Sequence, residues 1–191
     1  MSRSRRDDLI ETALRLFHRQ GYHATGVDRI LGEAGVSKPT LYRHFNSKEE
    51  LIVAALERWD RESRAWLADE MARAGPDPRA QILELFAALA RWFDDVGFQG
   101  CLFINATVEF ADRDNPVHRT AADHKRRFAA FVRDKVAATG AVDADEVTAR
   151  IMLLMEGAIV TAHTQGRSEA AARAQTMARD VLDAAIARAA A

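Results

Sequence analysis

Residues 25–50, TGVDRILGEAGVSKPTLYRHFNSKEE, leave this chain few choices of fold. Val27, Ile30, Leu31 and Ala34 recur at helical spacing over 27–34 and predict a short amphipathic helix. Gly35 then offers a residue free to take positive φ, and Val36 is expected to turn inward as the plug of the turn. A second short helix over about 38–45 buries Leu41 and Phe45 and leaves Lys38, Thr40, Tyr42, Arg43 and His44 outside. Pro39 is tolerated in its first turn because no backbone donor is needed there. An outward face of donors, cations and a phenol is not generic solvated surface. It suits a helix that lies in a DNA major groove.

A basic arm, Arg3, Arg5 and Arg6, precedes the first helix; it reads either as a frayed terminus or as a phosphate or minor-groove contact. That helix is expected over about 7–20, with Leu9, Ala13, Leu16 and Phe17 on one face and Gly21 ending it. Tyr22 reads as core, with a hydroxyl within reach of a phosphate as the alternative. Thr25 stands where an N-cap belongs, and a capped helix N-terminus is also a phosphate site. Ser37 should cap the second helix of the pair, and Ser47-Lys-Glu-Glu50 reads as a capping box. Lys48 in a first turn is electrostatically unfavourable unless an anion lies opposite, which points to a phosphate.

Helical periodicity then runs to about residue 74, with Leu51, Ala55, Trp59 and Leu67 inward and Arg58, Asp60, Arg61 and Glu62 solvated. Asp77-Pro78 and Asn115-Pro116 each read as N-cap and N1 of a further helix, and Asp143 to Glu146 as another capping box. A helix restarts at Cys101 after Gly100, and Gly166 and Ser168 mark the last turn. The final helix carries Ala174, Met177, Val181 and Ala185 on one face. About nine helices and no convincing strand result: an all-α chain.

With 48% hydrophobic residues but only 4 prolines and 10 glycines, the composition supports a folded, helical protein. No apolar run approaches the ~18 residues of a membrane span and no signal-peptide pattern opens the chain, so a soluble, cytoplasmic protein without a membrane partner is expected. One cysteine excludes an intrachain disulfide and a Cys-rich zinc site. Net charge is −1, carried as +2 on residues 1–50 and −3 on 51–191, so placement of the cations matters more than their sum. No Gly-rich phosphate loop, HExxH or nucleophile elbow appears, which argues against catalysis. His118, His124 and Glu109 lack metal-ligand spacing, and no cofactor or metal is expected.

Residues 8–55 resemble the DNA-binding domain of the tetracycline-repressor (TetR/AcrR) family of bacterial transcription regulators. The resemblance rests on Leu16-Phe17, Gly21-Tyr22, Thr25, Ile30 and Ala34-Gly35-Val36-Ser37, then on 40–45 (TLYRHF) and Lys48-Glu49-Glu50-Leu51. It implies an N-terminal three-helix, homeodomain-like helix-turn-helix domain, residues 1–50, and a larger ligand-binding and dimerisation domain, residues 51–191. Thr25, Tyr42, His44 and Lys48 would meet phosphates, with Lys38, Pro39, Thr40 and Arg43 at the groove. It further implies a ligand-responsive repressor: a homodimer through the last two helices, a palindromic double-stranded operator, and an unidentified small-molecule effector. Intrachain packing is the other reading of those two Ala-rich helices. For the effector pocket the candidates are Trp66, Phe86, Phe93, Phe103, Met152, Met155 and Ile159, each equally readable as core, with Asn105, Glu109, Glu156 and His163 as polar points. Cys101, also among the pocket candidates, reads either as an inert small residue or, since Gly100 to Glu109 resembles a segment of cysteine-sensing family members, as an electrophile or oxidant sensor.

Overall fold

A computed structural model describes residues 4–166 and 169–189; Arg3 of the basic arm and Ser168 of the last turn lie outside the described residues. Among the described residues there are nine helices and no strand: α1 (Arg5–Gln20), α2 (Val27–Ala34), α3 (Lys38–His44), α4 (Lys48–Ala72), α5 (Pro78–Phe93), α6 (Leu102–Glu109), α7 (Pro116–Ala138), α8 (Ala144–Gln165) and α9 (Ala170–Ala189). Local sequence chemistry accounts for most boundaries. Asp77 caps α5 by accepting the N–H groups of Arg79 and Ala80, with Pro78 at N1. Asn115 does the same for α7 through the Val117 N–H at 2.8 Å, and Asp143 caps α8. Helix α1 starts earlier than its acidic first turn suggests, because Ser4 is the cap and its Oγ accepts the Asp7 N–H.

The helices form two compact units that do not follow chain order. One holds the described residues through Glu62 together with Cys101–His124; the other holds Ser63–Gly100 and the described residues from Lys125 onward. In the first, α1, α2 and α3 close over Leu9, Leu16, Phe17, Ile30, Val36, Leu41 and Phe45. The start of α4 (Leu51, Ile52, Leu56), α6 (Leu102, Phe103, Ala106) and the start of α7 (Val117, Ala121) complete the same core. A three-helix domain this small buries too little surface to be secure alone, and the extra apolar faces enlarge its core. Asp60, expected among solvated neighbours, is instead buried in this unit and accepts the His124 Nδ1–H at 2.6 Å. The His124 ring stacks on Phe103 with centroids 3.5 Å apart.

In the second unit α8 packs along α9, and α5 packs on both. Ile82, Phe86, Leu89 and Phe93 of α5, Ile151, Met155, Ala158 and Ile159 of α8 and the alanine stripe of α9 are all buried. A bidentate Arg79–Asp183 pair at 2.6 and 2.8 Å and a bond from Gln175 Nε2 to the Leu83 carbonyl tie α5 to α9. Met177, read as inward, is 55% exposed: Ala171, Ala174, Ala178, Leu182 and Ala185 supply the buried stripe of α9 instead. Leu153 and Val160 of α8 are also large, apolar and exposed. Among the described residues no helix is long and apolar enough to cross a membrane.

Candidate nucleic-acid interface

The turn between α2 and α3 is built as the sequence requires. Gly35 takes the left-handed conformation (φ 62°, ψ 35°), and the Val36 N–H donates to the Leu31 carbonyl at 3.1 Å with its side chain buried. Ser37 is the N-cap of α3, but its hydroxyl pairs with that of Thr40 at 2.9 Å rather than with a backbone N–H. Leu41 and Phe45 anchor the inner face of α3 in the core. Outside lie Lys38, Pro39, Arg43 and His44, and Tyr42 at 49% exposure, with Thr40 half-buried at the edge. Arg6, from the basic arm, places its guanidinium 5.3 Å from the Phe45 ring centre, at the C-terminal end of α3. An exposed helix face bearing Lys38, Tyr42, Arg43 and His44 can meet both phosphates and base edges.

Helix α4 opens beside it. Ser47 Oγ accepts the Glu50 N–H at 3.1 Å, which is half of a capping box. The reciprocal half goes elsewhere: the Glu50 carboxylate accepts the Asn46 N–H at 2.7 Å and the Asn46 side-chain amide, which holds its carboxyl below the usual range. Lys48 is half-buried, with Nζ 3.5 Å from the His23 carbonyl. Burial pulls the Lys48 amine below its ordinary value and the charge of Glu109 opposes that pull. Glu109 thus supplies part of the negative charge that a first-turn lysine calls for.

Two expected roles change, those of Thr25 and Glu109, while Tyr22 takes the core role read for it. Thr25 is 0% exposed and is not a cap; the N-cap of α2 is Gly26, and the Thr25 hydroxyl donates to the Gly21 carbonyl at 2.7 Å. Its side chain is thus spent inside the protein and does not face a phosphate. The Tyr22 hydroxyl is likewise spent, donating to the Leu102 carbonyl at 2.9 Å from a buried ring; burial raises this phenol far above its ordinary value, so it stays neutral. Glu109 does not line a cavity with its carboxylate: Oε1 accepts the Tyr22 N–H at 2.9 Å and Oε2 the His23 N–H at 2.7 Å.

The effector-pocket candidates divide between the two units. Cys101, Phe103, Asn105 and Glu109 belong to the first; Trp66, Phe86, Phe93, Met152, Met155, Glu156, Ile159 and His163 belong to the second. Phe103 is buried against His124, a packing role, and Glu156 pairs with Lys125 at 3.1 Å. Phe86, Phe93, Met155 and Ile159 are buried, Met152 is half-buried, and Trp66 and His163 are exposed. His163 is edge-on to Phe98 at 6.2 Å. Cys101 is a free, half-buried thiol at the N-cap of α6, and Asn105 is half-buried on the same helix. His118 and His124 are held by the Phe110 carbonyl and Asp60, and among the described residues no group of three or more His, Cys, Asp or Glu side chains is placed to hold a metal ion.

Comparison with known proteins decides the family. Residues 9–55 match the family model for bacterial regulatory proteins of the tetR family, and residues 78–178 match that for the tetracyclin repressor-like C-terminal domain. The chain belongs to the TetR family. A TetR-family transcriptional regulator from Streptomyces coelicolor shares the fold with a TM-score of 0.88 and 31% identity, over 95% of this chain and 90% of that one. The regulator LmrA of Bacillus subtilis is 28% identical over 85% of this chain and 88% of its own length. The transcriptional activator FasR of Mycolicibacterium smegmatis is 54% identical over 54 residues, which span 28% of this chain and only 25% of FasR. The identity to FasR is therefore confined to a short stretch, while similarity to LmrA at lower identity extends over most of the chain. TetR-family members are DNA-binding transcriptional regulators, generally repressors, and not enzymes; they bind operator DNA and act as dimers.

Proposed function

We propose that this TetR-family chain is a ligand-responsive, dimeric repressor that binds a palindromic operator in the cytoplasm and leaves it when a small-molecule effector binds. The observation that carries the reading is the outer face of α3. Lys38, Tyr42, Arg43 and His44 stand exposed on a helix anchored by buried Leu41 and Phe45. Lys38, Thr40 and Arg43 face base edges, with Pro39 shaping the first turn, while Tyr42, His44 and Lys48 take phosphates. Residues 1–50 read DNA and 51–191 carry effector and dimer contacts, with residues 101–124 packed in the same compact unit as the reader.

Dimerisation through α8 and α9 rests on apolar side chains left facing solvent. Leu153 (72% exposed) and Val160 are spaced one face apart on α8 around exposed Gly157, and Met177 stands on α9. Small residues between them permit close helix approach across a two-fold axis. For the effector, Trp66, Phe86, Phe93, Met152, Met155 and Ile159 supply the apolar lining and His163 a polar point. Effector binding favours a conformer in which the two α3 helices are mis-spaced for DNA, and the population shifts off the operator.

Binding measured on operator and on random duplex tests the reading. Tyr42→Ala should weaken both, whereas Lys38→Ala should relax base preference at one half-site position. Equal losses on operator and random DNA for Lys38→Ala contradict its assignment to bases. A second reading, sensing of electrophiles or oxidants through Cys101, is favoured by one observation. Cys101 is the N-cap residue of α6, with no capping bond from its thiol, and Leu102 and Glu109 of that helix grip Tyr22 and His23. Cys101→Ser that responds to N-ethylmaleimide as the wild type does removes it.

A further inference from the structure

Helix α6 is fastened to the α1–α2 turn at both ends. At its start, the Leu102 carbonyl accepts the Tyr22 hydroxyl at 2.9 Å. At its end, the Glu109 carboxylate takes two successive backbone donors, Tyr22 N–H at 2.9 Å and His23 N–H at 2.7 Å. The Glu109 carbonyl also accepts the His23 Nε2–H at 2.9 Å. One carboxylate across two consecutive N–H groups is the geometry of an anion in a backbone nest. Gly21 makes room for it: with φ at +82° it takes a conformation L residues rarely adopt, and a Cβ there would stand 2.8 Å from Oε1. Two charge-assisted bonds to neighbouring peptides set both the position and the rotation of a turn, which one bond does not.

That turn leads directly into DNA-facing structure. Thr25 and the N-cap Gly26 follow it, and α2 carries α3 through the Gly35 turn. Lys48 is tied to the same place, with Nζ 3.5 Å from the His23 carbonyl and its charge drawn to Glu109. The carboxylate thus binds the turn that enters α2 and acts by its charge on an ammonium group.

We propose that Glu109 is a positioning residue for operator binding: it holds the 21–23 turn and Lys48 in the pose in which α3 and Lys48 meet the duplex. The proposal rests on the DNA-reading assignment of α3 and Lys48. Glu109→Gln keeps one acceptor oxygen but turns an amide NH2 toward the second N–H and removes the negative charge that acts on Lys48. The full-length variant is titrated with operator and with random duplex across a salt series, with circular dichroism and thermal unfolding on the same samples. Expected is a folded protein whose operator affinity falls roughly tenfold or more. Its log K against log salt slope should be shallower by about one phosphate contact, with a smaller loss on random DNA. His23→Ala removes the bond from an exposed ring together with that ring's contact with Phe110 at 4.8 Å, and should shift operator affinity and slope the same way by a smaller factor. Wild-type affinity and slope in Glu109→Gln overturn the proposal. So does an equal loss on operator and random DNA at unchanged slope, the mark of a smaller folded fraction. Should Glu109→Gln not fold, His23→Ala decides, and wild-type binding by that variant overturns the proposal. Failure of the wild-type protein to bind any DNA would instead defeat the DNA-reading assignment.

Discussion

Gly21→Ala separates the Glu109 nest from ordinary packing by stability alone. Gly21 sits at φ 82°, ψ 171°, a region essentially reserved for glycine, where a side chain costs about 1–3 kcal/mol. The new Cβ would also lie 2.8 Å from Glu109 Oε1, and that oxygen is held by the Tyr22 N–H. Moving it gives up one charge-assisted bond, about 1.5–3 kcal/mol. A stiffer unfolded chain returns about 0.4–1 kcal/mol. The expected loss is therefore about 2–5 kcal/mol, read as a lower urea midpoint at unchanged m value. A double-mutant cycle isolates the nest. In a Glu109→Ala background the collision is gone, so Gly21→Ala should cost only its backbone part, leaving a coupling of about 1.5–3 kcal/mol. A loss below about 0.5 kcal/mol, or a cycle additive to within about 0.5 kcal/mol, refutes the reasoning.

Lys48→Met should trade function against stability. Burial lowers the Lys48 amine below 10.5, so the charged form costs stability in the folded state. That cost is full below the lowered folded value and fades as pH rises from there to the ordinary 10.5. At pH 7 the variant should be at least as stable as the wild type, the difference closing on the alkaline side, while its operator salt slope falls by about one. A less stable variant with an unchanged slope would contradict both parts. Asp60→Ala should cost about 2–3 kcal/mol in thermal or urea unfolding, because it strips a buried His124 N–H of its carboxylate acceptor. Asp180→Ala, on the exposed face of α9, serves as the control, and equal effects would mean the Asp60–His124 pair carries no weight.

Much of the fold is legible because it is written locally. Gly35, Asp77-Pro78, Asn115-Pro116 and Asp143 punctuate the chain through bonds or dihedrals within a few residues, and apolar spacing assigns the inner face of α1. Roles that depend on distant partners are not written this way. Asp60 sits among charged neighbours and reads as solvated, yet its partner His124 lies 64 residues on. Glu109 reads as a polar point in a pocket, yet its carboxylate serves peptides 86 and 87 residues earlier. Thr25 has the chemistry of a cap, but its hydroxyl finds the Gly21 carbonyl four residues back and Gly26 takes the N-cap position. Met177 fits the periodicity of α9 but falls on the side that the alanine stripe leaves to solvent.

The face of α3 differs in kind. Its outward side chains are recognisable as solvent-facing from residue order alone, because Leu41 and Phe45 can only point one way on so short a helix. What local pattern could not give is the support behind that face. Residues 101–124 complete the core beneath α1–α3, and a polar helix end supplies the turn-setting carboxylate.

The central claim is that two copies of this chain read one palindromic operator. Native mass spectrometry of the full chain on the operator recovered from genomic DNA, with footprinting of the same complex, measures it directly. The account predicts two chains per duplex and protected half-sites centred about one helical turn, or a multiple of it, apart. One chain per operator, or uniform protection without preferred half-sites, would contradict it.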